Sequence, residues 1–160
     1  HNLPVNQNTI QDFDFAVIRY IWDGNGGTDL DTRTRIINPA RNIDVGWGKG
    51  ATDGAYLYWN GDNTGSGVEC VLLNLKQLKQ DFPNQNNFEI SLRSYWFSSI
   101  NTGNFSIQFE SFKDGTMQPN GFDYVNVGGH SVQSMTLNAN VQHQQNSNND
   151  GVELVGTEQA

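Results

Sequence analysis

Apolar and polar residues alternate with a period of two along most of this chain, the spacing that sends successive side chains to opposite faces of a β-strand. Over residues 12–22, Phe13, Phe15, Val17 and Ile21 share one face, interrupted by Arg19, while Ala16, Ile18, Tyr20 and Trp22 share the other. Two apolar faces predict a central strand covered on both sides. Residues 29–37 predict a strand with one covered face: Leu30, Thr32, Thr34 and Ile36 point inward, and Asp29, Asp31, Arg33 and Arg35 outward. Further strands are predicted at 43–47, 55–59 and 68–75, separated by Gly, Asp and Asn clusters that favour turns. Residues 76–81 predict one turn of helix, ended by Phe82-Pro83. Strands at 88–97 and 104–112 flank Asn101-Thr102-Gly103 and are expected to form a hairpin. Residues 122–127 and 132–141 alternate again, with Met135, Leu137, Ala139 and Val141 on the inner face of the second run and Ser134, Thr136 and Asn138 on its outer face. Residues 151–155 begin a last strand or a connection onward.

About eight to ten short strands without a long amphipathic helix predict an all-β fold, an antiparallel β-sandwich or jelly roll with little helix. The 160 residues are expected to form one domain spanning 1–160. Residues 142–150 are low in complexity and polar, and are expected to be a flexible loop or linker. Charged residues make up only 16% of the chain, so Asn, Gln, Ser, Thr and 17 glycines carry its polarity, a composition suited to turns and extended chain. A net charge of −8 opposes binding to nucleic acid or an anionic membrane and favours cations. Cys70 is the one cysteine, which excludes an intrachain disulfide and a cysteine zinc cage, and its apolar neighbours predict a buried, inert thiol. No apolar run reaches the length needed to span a bilayer. The chain begins with His1 and not Met, so a processed product or a piece of a longer protein is expected, placed outside the cell or on a cell or virion surface.

Candidate chemistry concentrates in two acidic, glycine-rich loops. The first runs Asp23-Gly-Asn25-Gly-Gly-Thr-Asp29-Leu-Asp31, where carbonyl and side-chain oxygens can converge on a hard cation such as calcium. Asp29 and Asp31 project from one strand face with Cα atoms roughly 6.6 Å apart, close enough for one ion to bridge them. The twelfth position from Asp23 is Thr34, so this is not an EF-hand loop. The alternative is a stripe of exposed Asp–Arg ion pairs, each worth little. The second loop carries Asp62, Asn63 and Glu69 and is expected to meet the first at one end of the sandwich. The metal-ligand candidates of the first loop are therefore Asp23, Asn25, Asp29 and Asp31.

Asp29-Leu30-Asp31 entering a strand, then Gly61-Asp62-Asn63-Thr64-Gly65, Glu69 and the apolar run Val71-Leu72-Leu73-Asn74-Leu75, resemble the calcium-binding domain of tellurite-resistance stress proteins over about residues 13–112. That resemblance implies a β-sandwich whose acidic loops hold calcium, with Asp29, Asp31, Asp62, Asn63 and Glu69 as ligands. The family has a denser acidic run before the strand, where this chain has Gly67-Val68-Glu69.

Aromatic residues are the other candidates. Tyr56, Tyr58 and Trp47 could stack on sugar rings beside Asp and Asn side chains, with the tyrosines expected to be the more exposed; the alternative is that such rings pack the core. No nucleophile elbow, metalloprotease helix or phosphate-binding loop occurs, and no catalytic residue is assigned. Glu89 and Glu110, on strands expected to be neighbours, are one example of a carboxylate pair for glycoside hydrolysis, the alternative being solvated surface glutamates. A non-enzymatic structural or assembly module is expected, self-associating or part of a larger surface, fibre or virion assembly. A carbohydrate-binding module is the alternative.

Overall fold

The computed structural model describes residues 5–84, 87–142 and 151–159. In chain order the elements are β1 (Val5–Gln11), β2 (Phe15–Trp22), β3 (Leu30–Asn38), β4 (Asp44–Gly46), β5 (Thr52–Asp53), β6 (Leu57–Trp59) and β7 (Gly67–Asn74). Helix α1 (Leu75–Asp81) follows, then β8 (Asn87–Trp96), β9 (Asn104–Lys113), β10 (Thr116–Asn120), β11 (Asp123–Val127), β12 (His130–Asn140) and β13 (Gly151–Gln159). One sheet has the order β1-β13-β8-β3-β4 and the other β12-β9-β2-β7-β6-β5. Every pairing within them is antiparallel except β1 with β13, and β10–β11 form a separate two-stranded hairpin. The fold is an all-β sandwich. Among the described residues no helix is long and apolar enough to cross a membrane.

β2 is central, as its two apolar faces predict. Its inner face places Ala16, Ile18, Tyr20 and Trp22 in the core with Leu30, Ile36, Ile90, Leu92 and Trp96. On its outer face Val17 joins Cys70, Leu72, Phe112 and Tyr124 in a smaller cluster, Tyr124 coming from the β10–β11 hairpin. Arg19, the polar interruption on that face, is held by Glu110 at 2.7 Å and Asp123 at 2.8 Å. A cationic residue is tolerated there because two carboxylates meet it. Cys70 is buried, as expected. α1 is capped by Asn74, whose side chain accepts from the Gln77 N–H, and it ends with Phe82 N–H on the Leu78 carbonyl.

Two expectations need correction. β8 and β9 do not form a hairpin: β8 pairs with β3 and β13, and β9 with β2 and β12. Residues 97–103 form an arch that crosses between the sheets, because a second crossing, residues 23–29 between β2 and β3, supplies its hydrogen bonds. Thr28 N–H donates to Ser99 O, Phe97 N–H to Asp29 O, and Asn101 and Gly103 N–H to Gly26 O. This close approach requires glycine, since a Cβ on Gly26 would lie 2.0 Å from Asn104 O. The strands also outnumber the expected eight to ten; β1, β5 and β10 are additional. β5 is too short and β10 too exposed for hydrophobic alternation to register. Residues 151–159 do form a strand, while most of the expected linker, 143–150, lies outside the described residues.

Candidate metal centre

The first acidic loop is the arch from β2 to β3. Asp29, at φ 60°, turns the chain into β3, a left-handed conformation that Asp tolerates better than most residues. Asp31 follows on the outer face of β3, directly opposite Tyr95 of β8. On its other side β4 pairs only with Arg33, Thr34 and Arg35, so among the described residues the start of β3 has no strand beside it there.

The second loop, between β6 and β7, is tied down from several directions. Asn63 Oδ1 accepts from Gly65 N–H, and Asn63 Nδ2 donates to Val68 O at 3.1 Å. Trp22 Nε1 donates to Gly65 O at 2.8 Å, and Asn60 Nδ2 donates to the carbonyls of Gly121 and Asp123. Glu69, 1% exposed on the inner face of β7, accepts from Asn63 N–H, Thr32 Oγ1 and Trp59 Nε1 at 3.0, 2.9 and 3.1 Å. One buried carboxylate thus links Thr32, next to Asp31, with Asn63, next to Asp62.

The two loops meet. One carboxylate oxygen from each of Asp29, Asp31 and Asp62 lies within 4.8 Å of the others. Asp31 is 3% exposed. Asp29 Oδ1 and Asp62 Oδ1 are buried and accept no hydrogen bond from the described residues. Among the described residues no lysine or arginine forms a salt bridge with any of the three. Arg33, two positions beyond Asp31, instead lies over the Tyr95 ring, 4.9 Å from its centroid.

The electrostatics follow from this crowding. Burial, then the charges of Asp29 and Asp62, push Asp31 up to about 7. Burial and the Asp62 charge raise Asp29. Burial also raises Glu69, against the opposing effect of its three donors. Three carboxylates forced together without a neutralising side chain favour either protons or a cation. Oxygen-only donors facing one another suit calcium better than a transition metal.

The other sequence candidates fall elsewhere. Asp23 and Asn25 bond to each other and line a separate cleft of about 640 Å³ with Ile21, Asn104 and Asn138. Asn63 spends its side chain shaping its own loop, and Glu69 faces the core rather than the carboxylate cluster. Tyr56 is buried, donates to Asp81 Oδ2 and has Arg41 over its ring, which corrects the expectation of exposure. Tyr58 is half-buried and lines an apolar recess under the β10–β11 hairpin. Trp47 is 49% exposed and stands 6.4 Å from Phe97, itself 45% exposed. These two rings follow β4 and β8, the strands flanking β3. Phe97 was detectable by continuing the outward series Arg93, Tyr95, Phe97 along β8. Glu89 and Glu110 lie on different sheets, and Glu110 is engaged by Arg19, so they are not neighbouring carboxylates.

Comparison with family models, with curated proteins and with solved structures finds no match to this chain.

Proposed function

We propose that this protein is a non-catalytic, calcium-stabilised β-sandwich module of an extracellular or surface assembly, with Asp29, Asp31 and Asp62 as the ion's protein ligands. One observation carries the reading: three carboxylates from two separate segments converge, with two buried oxygens that have no donor and with no basic partner among the described residues. Left ionised and unneutralised, such a group opposes folding; a divalent cation converts the repulsion into a cross-link between the loops. Three carboxylates supply less negative charge than a high-affinity calcium site, which fits the millimolar calcium available outside cells. Asn63 and Glu69 act behind the ligands by fixing the loop that carries Asp62.

Thermal unfolding tests this reading. Millimolar calcium is expected to raise the melting temperature, because binding to the folded state alone adds RT ln(1 + c/Kd) at free ion concentration c, roughly 1.4 kcal/mol at ten times Kd. Asp31→Asn is expected to abolish most of that increment. Identical melting of the wild type in calcium and in chelator would refute the ion's role.

A second reading rests on the exposed pair of Trp47 and Phe97, the latter joined to the acidic cluster by its N–H on Asp29 O. Their faces suit the apolar side of a sugar ring, with carboxylates and ion able to meet its hydroxyls. Screening on a glycan array, with Trp47→Ala as control, separates a sugar-binding module from an assembly module.

A further inference from the structure

We infer that the free edge of β12 is a self-association surface, at which a second copy of this chain pairs strand to strand about a two-fold axis. The inference deepens the assembly part of the proposed function and does not depend on the ion. It begins with the direction of the backbone. Val141 N–H donates to Gly103 O just beyond the β12–β9 ladder, so in an antiparallel ladder Leu137, Ala139 and Val141 turn their polar backbone groups toward β9. The same parity emerges from the opposite side of the sheet. Asn60 N–H donates to Cys70 O and Asn74 N–H to Tyr56 O, which turns the even-numbered residues of β7 toward β6. Carried through β2 and β9 by their registers, this again leaves the even-numbered residues of β12 facing away from β9. The N–H and C=O groups of Ser134, Thr136 and Asn138 therefore point off the edge, and among the described residues no strand pairs with them.

Exposed edges are usually blunted by charge, proline, brevity or distortion. β4 and β5, also at sheet edges, are three and two residues long, and β1 has seven; β12 has eleven. β12 contains no proline and no Asp, Glu, Lys or Arg, and its one register irregularity lies near its start, between Ser131 and Gln133. No charged residue occurs from Tyr124 to Asn149. In a chain of net charge −8, this is where two copies can approach without facing like charges. The edge is also self-complementary. An antiparallel pairing centred on Thr136 sets Thr136 against its symmetry mate and Ser134 against Asn138, all with outward backbone groups and all able to hydrogen-bond across strands. The two six-stranded sheets would then become one.

The test is sedimentation equilibrium from about 10 μM to 1 mM protein, with calcium and with chelator, combined with amide hydrogen exchange. The wild type is expected to form a dimer that added salt strengthens, because screening relieves the repulsion between two acidic copies. Slowed exchange at Ser134, Thr136 and Asn138 should accompany it. Thr136→Lys is expected to weaken association by on the order of tenfold or more, since two like charges then face each other, while Thr136→Val, neutral and β-branched, retains it. Circular dichroism melting identifies any variant that fails to fold. A wild type that stays monomeric at the highest concentration, a Thr136→Lys variant that associates equally well, or protection that appears elsewhere, for example along β1, would each overturn the inference. None of these outcomes alters the calcium increment in melting, so the two proposals fail independently.

Discussion

At the scale of single residues, Asp31 sets the behaviour of the acidic cluster. Its carboxyl is raised from 3.8 to about 7 by burial and by Asp29 and Asp62, so between those values the folded chain holds a proton that the unfolded chain releases. The ion-free protein is therefore stabilised by this group below about pH 4 and loses that contribution as pH rises through about 7. The raised Asp29 and Glu69 act in the same direction. Calcium requires the ionised form, so its apparent affinity should rise by up to about tenfold per pH unit below 7 and level off above it. Melting curves at pH 5.5 and 8 check both effects. Without calcium the melting temperature is expected to fall at the higher pH, at roughly 2–4 °C per kcal/mol lost, and Asp31→Asn should flatten that slope. A wild-type slope unchanged by the substitution would contradict the assignment. Asp29, Asp31 and Asp62 were legible in the sequence because carboxylates beside Gly-rich turns are conspicuous. The role of Glu69 was not, because an alternating strand pattern does not say that Glu69 faces the core and finds three donors there.

At the scale of elements, the two arches determine whether the site exists. The arch of residues 23–29 presents Asp29 and leads into the strand carrying Asp31, and its shape depends on backbone bonds to residues 97–103. Gly26→Ala would drive a Cβ to 2.0 Å from Asn104 O. The arches would have to separate, at a cost of about 1–3 kcal/mol, and calcium affinity should fall with them. By contrast, Asn74→Ala removes the α1 cap and is expected to cost about 1 kcal/mol while leaving calcium affinity unchanged, because α1 carries no ligand. Chemical denaturation paired with calcium titration of both variants distinguishes local damage at the site from general loss of stability. Strand positions and inward faces were legible from the period of two, as β2, β3, β9 and β12 illustrate. The pairing of β8 and β9 was misread because a short Gly-containing segment suits a hairpin and an arch equally well; the deciding hydrogen bonds come from residues 25–29, some seventy positions earlier.

At the scale of the molecule, the sandwich brings together two loops that are separated by more than thirty residues in sequence and lead into different sheets. β3 delivers Asp31 from one sheet, and the β6–β7 connection delivers Asp62 from the other. A cation there would join the sheets at one end, and the net charge of −8 would draw cations toward the protein as a whole. General attraction and a built site differ in saturation. Isothermal titration of calcium into the chelator-treated protein, in moderate salt to screen the diffuse charge, therefore tests the central claim most directly. One ion per chain, bound saturably in the range of about 0.1–1 mM and lost in both Asp31→Asn and Asp62→Asn, is the predicted result. Non-saturating heat that salt abolishes, or saturable binding unaffected by either substitution, would contradict the account.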